Sequence, residues 1–291
     1  MIYYFLLAVS ILLAVCKSSL YNAYAKRNEL SWCSIFGFNA ISYGVAFAIA
    51  LIGVLSAVQL PSPITVLCAF LYAVIVVSLQ SVSIYAMRAG TMAATSMLVM
   101  YGMIIPAVAG PIFWHEPIGA LQIVGILMML VSLALMQGNV SAHSITVNKK
   151  WIAPAILAFL LSGMAGVMEK IHQSTEAAAE RLPFVALACA FMLAFSLGAL
   201  LPARRTEKKP LSASMLSTAV LSGLVIGIYS TVNLTLSGKL DSMIYYPIAN
   251  GGALILTVLV SVVLFHEQLD KQKAAGVLIG LAGILCLSIP I

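Results

Sequence analysis

Residues 112–125 read IFWHEPIGALQIVG, and residues 263–276 read VLFHEQLDKQKAAG. Each stretch begins with apolar side chains, turns at a His-Glu pair and reaches a glycine nine residues past the Glu: His115-Glu116 leads to Gly125, His266-Glu267 to Gly276. The two lie 151 residues apart, and the register holds in both directions. Leu127 falls on Leu278 and Leu130 on Leu281; upstream, Arg88 falls on Lys239, Thr91 on Ser242 and Met92 on Met243. No gap is needed across about 50 residues, so the chain carries an internal repeat. Leucine pairs match cheaply by chance; a His-Glu pair with an equally spaced glycine does not.

The surroundings of these stretches name the solvent. Only 8% of the 291 residues are charged, against about 25% in an ordinary soluble domain. Apolar residues make up 62%, and the mean hydropathy is +1.08. A soluble fold of this size leaves roughly a quarter of its unfolded surface exposed, too much for so apolar a chain. Disorder needs the opposite composition. The chain is therefore expected in a bilayer, where each helical span takes about 20 apolar residues. Ten apolar runs are present, at about 2–22, 31–57, 64–87, 91–113, 118–137, 151–171, 183–202, 212–236, 243–265 and 274–290. They are continuously apolar, whereas barrel strands alternate and open sheets leave edges that lipid does not tolerate. The longest polar stretch separates residues 1–137 from 151–291, with 138–150 as the connecting loop and five runs on each side. The expected fold class is an all-α polytopic membrane protein: ten transmembrane helices in two five-helix repeats.

Five spans per repeat make the second copy enter the membrane from the opposite side, so the repeats are expected to be inverted, as in many secondary transporters. The charges agree. Lys17 and the odd-numbered connections hold 12 basic residues; the other side holds Lys170, Arg181 and Lys239. By the positive-inside rule both termini then face away from the cytoplasm. The amino terminus lacks a basic leader and a clear cleavage site, and is expected to be a retained span. The basic residues are scattered without interleaved aromatics, which argues against nucleic-acid binding. The five cysteines lie in or beside apolar runs with no C-x-x-C spacing, as small apolar side chains of membrane helices do.

The two helix-ending signatures, Ile112 through Pro117 leading to Gln122 and Gly125, and Val263 through Gln268 leading to Lys273, Gly276 and Gly280, resemble the drug/metabolite transporter (DMT) superfamily. The likeness is to its ten-helix form made of two EamA-type repeats, and it extends over nearly the whole chain. Lys17 sits where many relatives have a lysine. The resemblance implies alternating access around a central cavity lined mainly by spans 1, 3, 4, 6, 8 and 9. Small multidrug resistance relatives couple to protons through an acid in their first helix; here span one contains no acid. None of the nine acids lies in the middle of a run, Glu169 near the end of span six coming closest. Coupling through a midplane carboxylate is therefore not expected.

Candidate site residues follow from the cost of polar groups in lipid, about 2.5–3.5 kcal/mol for a charge on insertion scales. Lys17 is either an interfacial anchor or a cation facing the cavity. Glu169-Lys170 is either a self-satisfying pair or part of a loop. Polar and aromatic residues recur at helical spacing: Gln80 and Ser83 in span three, Met97 and Tyr101 in span four, Tyr229 and Asn233 in span eight, Tyr246 and Asn250 in span nine. They are expected to bind substrate, the alternative being hydrogen bonds between helices. Pro106 and Pro111 in span four, and Pro247, Gly251 and Gly252 in span nine, are expected to break or gate their helices. Glu116, Gly125, Glu267 and Gly276 are expected to be structural. Gly223-x-x-x-Gly227 and Gly276-x-x-x-Gly280 are close-packing patterns, within one chain or across a dimer.

The expected function is secondary transport, more in the export direction, of a small organic solute such as an amino acid, metabolite or drug-like compound. No enzymatic activity, cofactor or metal is expected. The expected partners are a small-molecule substrate and the lipid bilayer, with the protein a monomer or homodimer in a bacterial cytoplasmic (inner) membrane. Two other classes fit less well. A lipid-flipping or accessory membrane subunit shares the span count; a membrane-embedded lipid enzyme needs clustered acids or histidines near one interface.

Overall fold

A computed structural model describes residues 2–27, 31–57, 60–89, 98–136, 149–206, 213–265 and 271–289. Among these residues the protein is all-helical, with ten α-helices, one short 3-10 helix and no strand. In chain order they are α1 (Ile2–Arg27), α2 (Trp32–Ala57), α3 (Pro63–Ala89), α4 (Ile104–Trp114), α5 (Ala120–Met136), α6 (Lys149–Gln173), α7 (Arg181–Thr206), α8 (Ala213–Ser237), α9 (Ser242–Phe265) and α10 (Lys271–Ser288). Five of them, α2, α3, α6, α7 and α8, are long and apolar enough to cross a membrane. Shorter apolar helical stretches cover Ile2–Lys17, Leu98–Trp114, Ala120–Leu135 and Ala274–Leu287. Large apolar side chains face outward along these helices, among them Leu67, Phe70, Leu127, Leu201, Ile228 and Leu278. A multi-pass membrane protein is the class that such helices define.

The chain forms two compact units, and each draws on both halves of the sequence. One comprises residues 12–77 and 171–238, the other residues 1–11, 78–170 and 239–291.

In the first unit α2 packs on α7 and α8. Contacts run in opposite directions along α2 and α7: Cys33 lies with Leu200 and Ala203, Gly44 against Leu193, and Gly53 against Leu182. The helices are therefore antiparallel. Small residues let the backbones close. A Cβ on Gly223 of α8 would stand 2.5 Å from the Ser42 carbonyl oxygen and 2.6 Å from Val45 Cβ, while one on Gly227 would stand 3.4 Å from Ala46 Cα. The Ser42 hydroxyl donates to the Ala219 carbonyl at 3.0 Å. The Gly223-x-x-x-Gly227 face is thus covered by α2 of the same chain.

In the second unit α5 packs on α10, also antiparallel. Gly125 lies against Gly283 and Leu287, and Ser132 against Gly280. The Ser132 hydroxyl donates to the Gly276 carbonyl at 2.8 Å. α9 packs against α4, α5 and α10.

Candidate functional site

The span containing Pro106 is interrupted at Gly102 and Met103, one turn ahead of the proline. Proline has no N–H to give the carbonyl four residues earlier, here that of Gly102. That oxygen accepts instead from Ile105 N–H at 3.0 Å, while Gly102 and Met103 donate to Val99 and Met100 at 3.1 and 3.2 Å. The turn tightens and the helix restarts at Ile104. In lipid a loosened backbone needs partners from neighbouring helices, and the Ser162 hydroxyl of α6 donates to Val99 O at 2.9 Å. The close approach follows from missing side chains. A Cβ on Gly102 would stand 2.7 Å from Ser162 Cβ, Gly163 faces Ile105, and a Cβ on Gly166 would meet Tyr246 Cε1 at 2.8 Å and Pro106 Cγ at 3.1 Å. The Tyr246 hydroxyl donates to Gly166 O at 2.5 Å, and Asn250 Nδ2 to Tyr246 O at 2.9 Å. The Tyr101 hydroxyl donates to Leu130 O of α5 at 3.1 Å. Tyr101, Pro106 and Tyr246 thus lie around the break that precedes α4, with both tyrosine hydroxyls bonded to backbone carbonyls, and Asn250 stands one turn beyond Tyr246 on α9.

Pro111 lies in the last turns of α4, which ends at His115 in the left-handed region (φ 52°), its N–H donating to Gly110 O. That reversal turns Glu116 back onto the start of α9. Its carboxylate accepts from Ser242 N–H at 2.7 Å and from the Ser242 hydroxyl at 3.2 Å. Lys170 Nζ stands 2.6 Å from the same carboxylate and donates to Leu240 O at 3.3 Å. Negative charge at a helix amino terminus is stabilising, and the Lys170 ammonium neutralises the carboxylate. Burial pushes the neighbouring Asp241 carboxyl above its ordinary value; Glu116 adds to the shift and Lys170 opposes it. The structural role expected for Glu116 has specific partners here, and Lys170 pairs with Glu116.

Pro247 is buried within a continuous α9. Gly251 is where Met129 of α5 approaches, and a Cβ on Gly252 would stand 2.9 Å from Ile11 Cδ1. Gln80 and Ser83 are half-buried on α3. Met97 and Glu267 lie outside the described residues.

In the other unit Lys17 and Tyr229 meet: the Lys17 ammonium lies 4.2 Å from the Tyr229 ring centroid. An ammonium over an aromatic face is attracted by the ring quadrupole. Asn233, one turn further along α8, is buried. The expected site residues therefore fall into two groups, Lys17, Tyr229 and Asn233 in one unit, Gln80, Ser83, Tyr101, Tyr246 and Asn250 in the other.

A polar chain that sequence reasoning missed joins Glu180, Thr65 and His172. The Glu180 carboxylate accepts from Ser62 N–H at 2.8 Å, the Ser62 hydroxyl at 2.9 Å and the Thr65 hydroxyl at 2.5 Å, at the start of α3. His172 is fully buried, with Nε2 3.1 Å from Thr65 Oγ1 and its ring 4.3 Å from that of Phe184. Gln173 Nε2 lies 3.0 Å from His172 Nδ1, so the amide donates to Nδ1 and the proton sits on Nε2. The Thr65 hydroxyl and then the Ser62 N–H hold the Glu180 carboxyl below the usual carboxylate range. The available signal was Ser62-x-x-Thr65, a helix-start pattern. Among the described residues no three His, Cys, Asp or Glu side chains are grouped to hold a metal.

No family model matches the sequence, and no curated protein matches it. A solved structure known only as a crystal structure of a protein is similar over 98% of this chain and 96% of its own, with a TM-score of 0.78 and 14% identity. At that identity the likeness shows the fold alone.

Proposed function

We propose that the protein is a secondary transporter of the drug/metabolite transporter type, with ten spans in two inverted EamA-like repeats. It moves a small organic solute by alternating access, in the export direction, across a bacterial cytoplasmic membrane. The observation that carries this is the interrupted helix at Gly102–Met103, held by a serine hydroxyl from α6 and flanked by Tyr101, Pro106 and Tyr246. Discontinuous helices with polar groups around the break mark the moving, substrate-handling parts of such proteins. The packing supports inversion. α2 lies antiparallel on α7, and α5 on α10, each helix beside the one five places later. A two-fold relation in the membrane plane produces that pairing. The 151-residue shift also takes Met129 to Gly280, and α5 crosses α10 around these residues.

The test is a solute screen in proteoliposomes, with and without a proton gradient. Amino acids, organic acids and drug-like cations are each supplied on one side. Saturable movement of one class, absent from empty vesicles, is expected; vesicles that pass none of them sink the proposal.

A further inference from the structure

We infer that His172, backed by Thr65 and Glu180, is a proton-binding site that fills from the membrane face carrying the α6–α7 connection. The inference rests on the transporter proposal above and names what regulates it, the pH on that face.

The hydrogen bonds run one way. Gln173 Nε2 donates to His172 Nδ1 at 3.0 Å, so the ring is neutral and its own proton is on Nε2. That Nε2–H donates to Thr65 Oγ1 at 3.1 Å, and the Thr65 hydroxyl donates to the Glu180 carboxylate at 2.5 Å. A proton from water can be added at the Nδ1 lone pair while the bonds to Thr65 and Glu180 stay as they are. Gln173 then turns its amide over, and Oε1 accepts from the new Nδ1–H where Nε2 had donated. The amide rests on Gly238, where a side chain would block it: a Cβ there would stand 2.6 Å from Gln173 Oε1 and 2.9 Å from Gln173 Cβ. Gly238 is exposed and Gln173 half-buried, which opens the Nδ1 side to water at the end of α6.

Charge decides where the proton stays. The Thr65 hydroxyl and then the Ser62 N–H hold the Glu180 carboxyl below the usual carboxylate range, so it persists as the anion and the ring is the base. Uptake takes the His172–Glu180 pair from one negative charge to none. Burial costs a charged ring its hydration, and the carboxylate one hydroxyl away supplies the counter-charge. Other ionisable groups come from every neighbouring element. α3 brings Tyr72, whose ring packs on Phe184, and no charge between Pro63 and Met87. α8 has no Asp, Glu, Lys or Arg, and Lys239 follows it. The 3-10 helix brings Glu176, and α7 starts with Arg181, whose Nε donates to Ala178 O at 3.2 Å. On α6 itself Glu169 and Lys170 precede the ring, Lys170 paired with Glu116. Among the described residues the ring bonds to none of these, only to Thr65 and Gln173. A charged ring strengthens its bond to Thr65 and, through it, the hold of Glu180 on the start of α3. Proton uptake thus clamps the end of α6 to the starts of α3 and α7, and release loosens it. The same helix carries Ser162, which holds the break ahead of α4.

The experiment uses the purified full-length protein in detergent, its histidines labelled with nitrogen-15 and followed by NMR from pH 8 to pH 4. The chain has four histidines, and His172→Gln identifies the signal of interest. At the alkaline end His172 is expected in the Nε2–H form, and on acidification it should gain one proton at Nδ1. Glu180→Gln should lower the midpoint by about one pH unit, roughly tenfold in proton affinity, and Gln173→Glu should raise it by about as much. A general loss of packing cannot move the midpoint in both directions. A wild-type ring that stays neutral throughout, or that starts in the Nδ1–H form, overturns the inference and needs no variant to fold. So do midpoints in both variants that match wild type. Transport is then read in proteoliposomes with the pH varied on one side at a time. Solute movement whose pH dependence survives in His172→Gln refutes the regulation and leaves the transporter standing. A titrating His172 in vesicles that move no solute does the reverse.

Discussion

Glu116 is where one side chain does most for its surroundings. Its carboxylate is 6% exposed and Lys170 12%, so the pair is held largely out of water. Removing one partner of such a pair leaves the other charge uncompensated, at a cost of about 3–5 kcal/mol. Glu116→Ala is therefore expected to unfold at markedly lower denaturant, and Glu116→Leu/Lys170→Met to recover most of the loss. A double mutant as unstable as the single would show that the cap on Ser242, rather than the ion pair, dominates. Titration supplies a second check, with opposite signs at two carboxyls. Glu180 is held below its ordinary value, so its contribution is full above that value and fades as pH falls through the lowered one. Asp241 is raised, so its ionisation works against the fold as pH rises through the raised value. Asp241→Asn should raise the melting temperature at neutral pH, with the gain vanishing in acid. Glu180→Gln should flatten the acid limb of the wild-type curve. Melting temperatures from pH 3 to 8 in one detergent decide both.

At the scale of the helix, what the sequence displayed was periodicity and what it hid was partnership. Ten apolar runs predicted ten helices, and ten α-helices are found among the described residues. Their ends shifted where polar residues still bond internally: α1 runs on to Arg27 because Tyr24 packs on Phe38 and bonds to Ser34. Pro106 and Pro111 both read as breakers, yet the break comes ahead of Pro106, where glycine already weakens the helix. Pro111 sits within α4 without interrupting it. Lys17 and Tyr229 were each legible as polar residues in lipid, but no spacing rule joins positions so far apart in the chain. His172 and Glu180 escaped because a buried histidine at a helix end has no periodic signature. Two substitutions test the packing. Gly223→Ala forces a methyl against the Ser42 carbonyl and should cost about 1–3 kcal/mol. Gly198→Ala meets nothing within 4 Å and should be neutral or stabilising by up to about 1 kcal/mol. Thermal unfolding in detergent compares them. Pro106→Ala restores the missing donor; it is expected to keep or raise stability while slowing transport, and unchanged transport would detach the break from function.

For the whole molecule the charge asymmetry makes an orientation testable. A reporter fused after Ile291 should behave as extracytoplasmic, and one in the 207–212 connection as cytoplasmic; the reverse pattern would invert the topology. The grouping of the chain into two units was not legible in the sequence, since each unit mixes segments from both halves. That mixing governs the order of events at the ribosome. The small-residue face of α2 that meets Leu193 through Gly44 is made long before its partner exists. With about 150 residues still to be translated at 5–20 residues per second, α2 waits roughly 10–30 s for α7, and α5 waits about as long for α10. During that interval Gly125 and the Ser132 hydroxyl have no α10 to rest on. The nascent first half is a client for whatever chaperones membrane helices, and synonymous changes that stall translation between residues 137 and 181 should lower yield more than the same changes after residue 271.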